Sequence, residues 1–197
     1  MRLVLIFILT LSFQSHTKAD DITNFEIEGM SIGNSLLKFM SENEINNNIF
    51  ENYFKNGKKR KYYATGFYDT DKYDQLEIYI KTGDNNFKIK AITGFKKINN
   101  LKKCLSLKNG IVDKIQRLFI NIEPKSYNDV SHSFDKSGES KQYQTAFLLK
   151  NHHLKDHIRI ECTKWSKKMK KEKDFGDNLG VSVFSTEILK WVDKGYQ

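Results

Sequence analysis

Three strand-like stretches run in succession along the chain, two of them with apolar and polar residues in alternation, and apolar residues recur at three-and-four spacing on either side of them. Residues 61–68 are rich in aromatics. Leu76, Ile78 and Ile80 alternate with Glu77, Tyr79 and Lys81, and Phe87, Ile89, Ala91, Thr93 and Phe95 alternate with Lys88, Lys90 and Ile92. This period of two predicts strands with one buried face, and residues 82–86 supply the turn that joins the last two into a hairpin. Upstream, Phe25 and Ile27 read as a short strand running into Gly29 and Gly33, followed by a helical stretch with Leu36, Leu37 and Met40 on one face. Ser41 and Glu44 form a capping box that opens a second helix through Ile45, Ile49 and Phe50.

From Leu101 the period lengthens. Leu101, Cys104, Leu105, Ile111, Val112, Ile115, Leu118, Phe119 and Ile122 predict one amphipathic helix despite Gly110, with the only proline, Pro124, just beyond it. Residues 127–141 are polar, carry Ser137-Gly138 and read as loop. Strands are expected again at 143–149, 158–162 and 179–184, then a closing helix from Ser185 that presents Ile188, Leu189 and Val192. The expected fold is therefore α+β: an antiparallel sheet of about six strands with helices packed on one face. The order of elements allows two αβββ halves, although no residue-level repeat is visible.

The first residues change the picture of where the chain works. Arg2, the apolar run 3–11 and the small residues Thr17 and Ala19 have the layout of a cleavable signal peptide over residues 1–19. The run is about half the ~20 residues needed to span a bilayer. A single α+β domain, residues 20–197, is expected to follow, in a periplasm or outside the cell. The formal charge is +9, and loss of Arg2 and Lys18 lowers it to +7. Of the 33 basic residues only Arg2, Arg60, Arg117 and Arg159 are arginine. Phosphate recognition more often enriches arginine, whose planar fork grips oxyanions two-handed, so an AT-rich codon bias accounts for the lysines as well.

Cys104 and Cys162 are the only cysteines. In an exported chain they are expected to form a disulfide, because Cys104 lies on the apolar face of its helix and Cys162 shares the inward parity of Ile158 and Ile160. The segment His152-His153-Leu154-Lys155-Asp156-His157 has metal-like spacing at His153 and His157, but between two strands it reads as a hairpin turn, where that spacing loses its meaning. No metal or cofactor is expected. The loop Asp135-Lys136-Ser137-Gly138-Glu139-Ser140 lacks the spacing of a phosphate loop and reads as a loop that orders itself. No G-x-S-x-G, H-E-x-x-H or nucleotide fingerprint occurs.

The segments Phe25–Leu37, 135–140 and 161–166, with the closing helix around Trp191, resemble a family of small uncharacterised exported proteins from AT-rich marine alphaproteobacteria. The resemblance implies export and a shared fold, and adds no chemistry. Two basic runs remain, Lys55 to Lys61 and Lys164 to Lys173. The expected function is a non-catalytic interaction module that binds an envelope protein or an anionic lipid surface, with Lys167, Lys168, Lys170, Lys171 and Trp165 as the binding residues. Nucleic acid is not an expected partner, and the mature chain is expected to have no transmembrane segment. The alternatives are a small periplasmic enzyme, its site assembled from scattered residues such as His132, Asp135, Ser137 and Trp165, or a carrier of an apolar ligand.

Overall fold

The structure, a computed structural model, describes residues 25–50, 60–119, 121–151 and 154–193. The signal segment lies outside these residues, as do Lys55, Lys58 and Lys59 of the first basic run and His152 and His153. The fold is α+β. Seven antiparallel strands form one sheet: β1 (Tyr62–Tyr68), β2 (Gln75–Lys81), β3 (Ile89–Lys97), β4 (Lys125–Ser131), β5 (Lys141–Asn151), β6 (Leu154–Lys164) and β7 (Asn178–Phe184). Their spatial order is β1-β2-β3-β7-β6-β5-β4. Two meanders thus flank the last strand, which pairs with β3 on one side and β6 on the other. The helices are α1 (Glu42–Asn47), α2 (Leu101–Leu118), α3 (Lys167–Lys173) and α4 (Thr186–Asp193).

The two faces of the sheet differ. Leu76, Ile78, Ile80, Ile92, Val181, Val183, Ile158 and Ile160 point to the first face and are buried. Over β1–β3 this face is covered by the N-terminal segment through Ile27, Met30, Leu36, Met40 and Ile45, and over β6 and β7 by α2 through Cys104 and Ile115. Gly94 sits on this face beneath the Tyr73 ring, which a Cβ there would meet at 2.6 Å. Cys104 and Cys162 stand at disulfide-bonding distance, with Cα atoms 6.0 Å apart, and tie α2 to β6.

The expected layering on one face holds for α2 and the N-terminal segment, whereas α4 packs on the opposite face. There Ile188 and Trp191 bury against Tyr62, Ala91 and Phe184, and the Trp191 and Tyr62 rings meet edge to face at 5.2 Å. The reason is local. Ser185 N–H donates to the Lys90 carbonyl, Thr186 N–H is capped by Asp156 Oδ1 at 2.7 Å, and the chain turns across the sheet directly from β7.

Other elements also depart from expectation. The helical stretch after Gly33 is a single 3₁₀ turn, Leu36–Lys38, in which Leu36 is buried and Leu37 exposed. The capping box forms as read, with Ser41 Oγ accepting from Glu44 N–H and Glu44 Oε2 accepting from Ser41 N–H, but α1 ends at Asn47. Residues 127–131, read as the start of a loop, belong to the edge strand β4. All its side chains are exposed, so no burial alternation marks it, and it is held by the ladder to β5 with side-chain hydrogen bonds such as that between Ser126 Oγ and Thr145 Oγ1. His157 and Asp156 belong to β6, not to the hairpin turn. Finally α3, read only as a charge run, is a helix. Its signals are the N-cap Ser166, which accepts from Met169 N–H, and the single buried apolar residue Met169.

Candidate functional site: the basic end of the sheet

α3 joins β6 to β7, so it stands at the end of the sheet where β3 and β6 finish and β5 begins; Lys97 pairs with Asn178 and Lys141 with Lys164. Lys167, Lys168 and Lys171 are exposed on α3, and Lys164, Lys96 and Lys97 are exposed at the ends of β6 and β3. Lysines distant in sequence thereby share one end of the molecule. Lys170, expected in the same role, is engaged: its Nζ donates to Asp177 Oδ2 at 2.7 Å, while Asp177 Oδ1 accepts from Trp165 N–H at 2.8 Å. Asp177 fastens the α3 loop and takes this lysine out of the free set. Glu172 and Asp174 are exposed and interrupt the run.

Of the first basic run, the described residues Arg60 and Lys61 do not join this end of the sheet. Lys61 precedes β1, and its carbonyl accepts from Thr82 N–H, so Arg60 and Lys61 lie at the opposite end of the sheet. A seven-residue strand separates the two ends by about 20 Å.

Trp165 is half-buried in an aromatic stack rather than exposed as a platform. Its ring lies 4.3 Å from that of His132 and 4.5 Å from that of Phe175. His132 is pushed down to about 4, first by burial and then by the charge of Arg159, with Asp135 opposing. The imidazole is therefore neutral near pH 7, and its Nδ1 accepts from Phe134 N–H at 3.1 Å.

The scattered residues of the enzymatic alternative do come together in this corner, but their polar atoms are committed to holding the loop. Asp135 Oδ1 accepts from Ser137 N–H and Oγ–H, at 3.0 and 2.6 Å. Its Oδ2 accepts from Ser140 N–H and Oγ–H, again at 3.0 and 2.6 Å, and Ser140 Oγ in turn accepts from Ser166 N–H at 2.9 Å. These bonds, the Ser137 hydroxyl first, hold the Asp135 carboxyl far below the usual carboxylate range. The aspartate is the hub that ties the β4–β5 loop to the α3 N-cap.

Among the described residues, an open cleft of about 440 Å³ lies at the β2–β3 turn, between Asn46, Arg60, Tyr63, Asp84 and Asn85. A void of about 10 Å³ lies beside the disulfide, near the minimum for one water. No group of three metal-ligating side chains occurs among the described residues, and no described helix is long and apolar enough to cross a membrane.

No protein-family model, curated protein or solved structure matches this chain.

Proposed function

We propose that the chain is an exported, non-catalytic interaction module that docks on an anionic envelope surface through the lysines of its basic end. The observation that carries the reading is the convergence of α3 with the ends of β3 and β6, which brings the exposed Lys97, Lys164, Lys167, Lys168 and Lys171 to one end of the sheet, where Lys96 donates its Nζ to the Lys72 carbonyl at 3.1 Å. Two features support export: the signal-like residues 1–19, and the Cys104–Cys162 pair, which suits an oxidising compartment. The organisation of the Asp135 loop supports a non-catalytic role, because its hydroxyls and carboxylate oxygens are already used to hold the chain.

Each lysine near an anionic surface contributes roughly 1 kcal/mol, decaying over about 8 Å at physiological salt. Several together suffice for micromolar adhesion without a shaped pocket. The test is sedimentation of residues 20–197 with vesicles of acidic or neutral lipid. Binding to acidic vesicles alone is expected, weakening steeply with salt and falling further in a Lys167→Gln, Lys168→Gln, Lys171→Gln variant. Equal binding to both vesicle types at low salt would overturn the proposal.

A further inference from the structure

The loop between β4 and β5, residues 132–140, stands at the basic end, because Ser131 pairs with Lys141 and Lys141 with Lys164. It carries Phe134, whose side chain is large, apolar and 45% exposed. The loop is built so that this ring stays out. Phe134 N–H donates to His132 Nδ1 at 3.1 Å, Asp135 N–H to the His132 carbonyl at 3.0 Å, and Gly138 N–H to the Asp135 carbonyl at 3.0 Å. The Asp135 carboxylate, accepting from Ser137 and Ser140, closes the loop behind it. A backbone ordered in advance loses no loop entropy when a partner arrives.

Phe134 is the outermost of four rings in a row. Its centroid lies 5.2 Å from that of His132, which lies 4.3 Å from Trp165, which lies 4.5 Å from Phe175. The three inner rings are half-buried, so the row offers solvent one apolar tip. That tip stands among lysines. Lys164, Lys167 and Lys168 flank Trp165 in the chain, and Lys136 follows Phe134 by two residues; all four are exposed, with Glu139 as the opposing charge of the loop. Ser166 N–H donates to Ser140 Oγ at 2.9 Å and fastens the loop to α3, so the ring and the lysines are presented together.

Resting on the lysine docking argued above, we propose that Phe134 is an anchor that enters the interface of an anionic lipid bilayer when the basic end docks. An apolar side chain and several lysines on one surface are the two signals that together hold a protein to a membrane surface: the ring partitions below the headgroups and the ammonium groups meet their charge. A carboxylate-rich protein surface would answer the lysines and leave the ring against polar groups, at a loss of apolar burial. A small ligand needs a concave site, and the cleft of about 440 Å³ opens at the other end of the sheet, beside Arg60 and Asp84.

The experiment sediments residues 20–197 with phosphatidylcholine vesicles, with and without phosphatidylglycerol, over a range of salt. Phe134→Ala is expected to weaken binding to the acidic vesicles roughly tenfold at every salt concentration, with the salt slope unchanged. The Lys167→Gln, Lys168→Gln, Lys171→Gln variant is expected to flatten that slope instead. Phe134→Trp should restore binding, and its added fluorescence should be quenched by lipids brominated in the acyl chains. If Phe134→Ala binds acidic vesicles as the wild type does, the anchor is wrong and the lysine docking stands. If the wild type ignores acidic vesicles, both are wrong. Unquenched fluorescence from bound Phe134→Trp would put the ring outside the bilayer and overturn the anchor. An equal loss of Phe134→Ala binding to immobilised polyglutamate would give the ring to an acidic protein, with the same consequence.

Discussion

Lys108 on α2 donates a hydrogen bond from Nζ to Thr145 Oγ1 on β5 at 2.8 Å, and both residues are buried, at 4% and 2% exposure. Thr145 Oγ1 also lies 3.0 Å from Ser126 Oγ on β4. Among the described residues the ammonium has hydroxyl company but no carboxylate partner, and burial pushes its pKa down. Thr145→Val leaves the charge without its acceptor and is expected to cost about 1–3 kcal/mol. Lys108→Met keeps the apolar stem without the charge and is expected to be neutral or stabilising. Because the folded pKa is depressed, wild-type stability rises with pH in the alkaline range, so any gain from Lys108→Met should shrink there. Urea denaturation at several pH values checks this; a loss in Lys108→Met as large as in Thr145→Val would refute it.

The Cys104–Cys162 pair spans 58 residues of sequence. Closing a loop of that length removes chain entropy worth about 4 kcal/mol in the simplest model. Replacing both cysteines by alanine is expected to lower stability by a few kcal/mol, measured by denaturant midpoint at constant slope. Thiols that titrate in the native, unreduced protein would rule out the bond.

His157 meets the Phe184 ring at 5.3 Å, and burial followed by the nearby charge of Arg159 pushes its pKa from 6.5 down to about 4. His132 is held to about 4 as well. The unfolded chain therefore binds more protons than the folded one between these values. The contribution from the neutral imidazoles is full above pH 6.5 and is lost as pH falls towards 4. Thermal melting across that window should show the midpoint dropping with acid, and His157→Leu should flatten the slope. An unchanged slope in that variant would show that His157 is not the group responsible. Asp135, held far lower, affects only more acidic conditions.

The strands with alternating burial were legible because one face is buried residue by residue: Leu76, Ile78 and Ile80 are all under 2% exposed, as their spacing demands. The Ser41–Glu44 cap was legible for a local reason, since both partners lie within one turn. β4 was hidden because an edge strand with every side chain in solvent has no pattern to read. α3 was hidden because six of its seven residues are charged, and only Ser166 and Met169 mark it. The lysine end was half legible. The run on α3 is written in order, but Lys96 and Lys97 join it only through the pairing of β3 with β7.

By itself the sequence determined what depends on neighbours: strand and helix periods, the cap, the turn at residues 82–86, and an inward parity for Cys104 and Cys162. Tertiary structure decided what depends on strand order and register. It inserted β7 between β3 and β6, carried α4 to the far face, and moved Arg60 and Lys61 to the end opposite α3. It also aligned Tyr127, Gln144, Glu161, Phe95, Gln75 and Tyr68 in one row. Neighbour spacing fixes which side of a strand a residue faces. Which residues then stand side by side is set by hydrogen-bond pairing between segments far apart in the chain, and no local period encodes that.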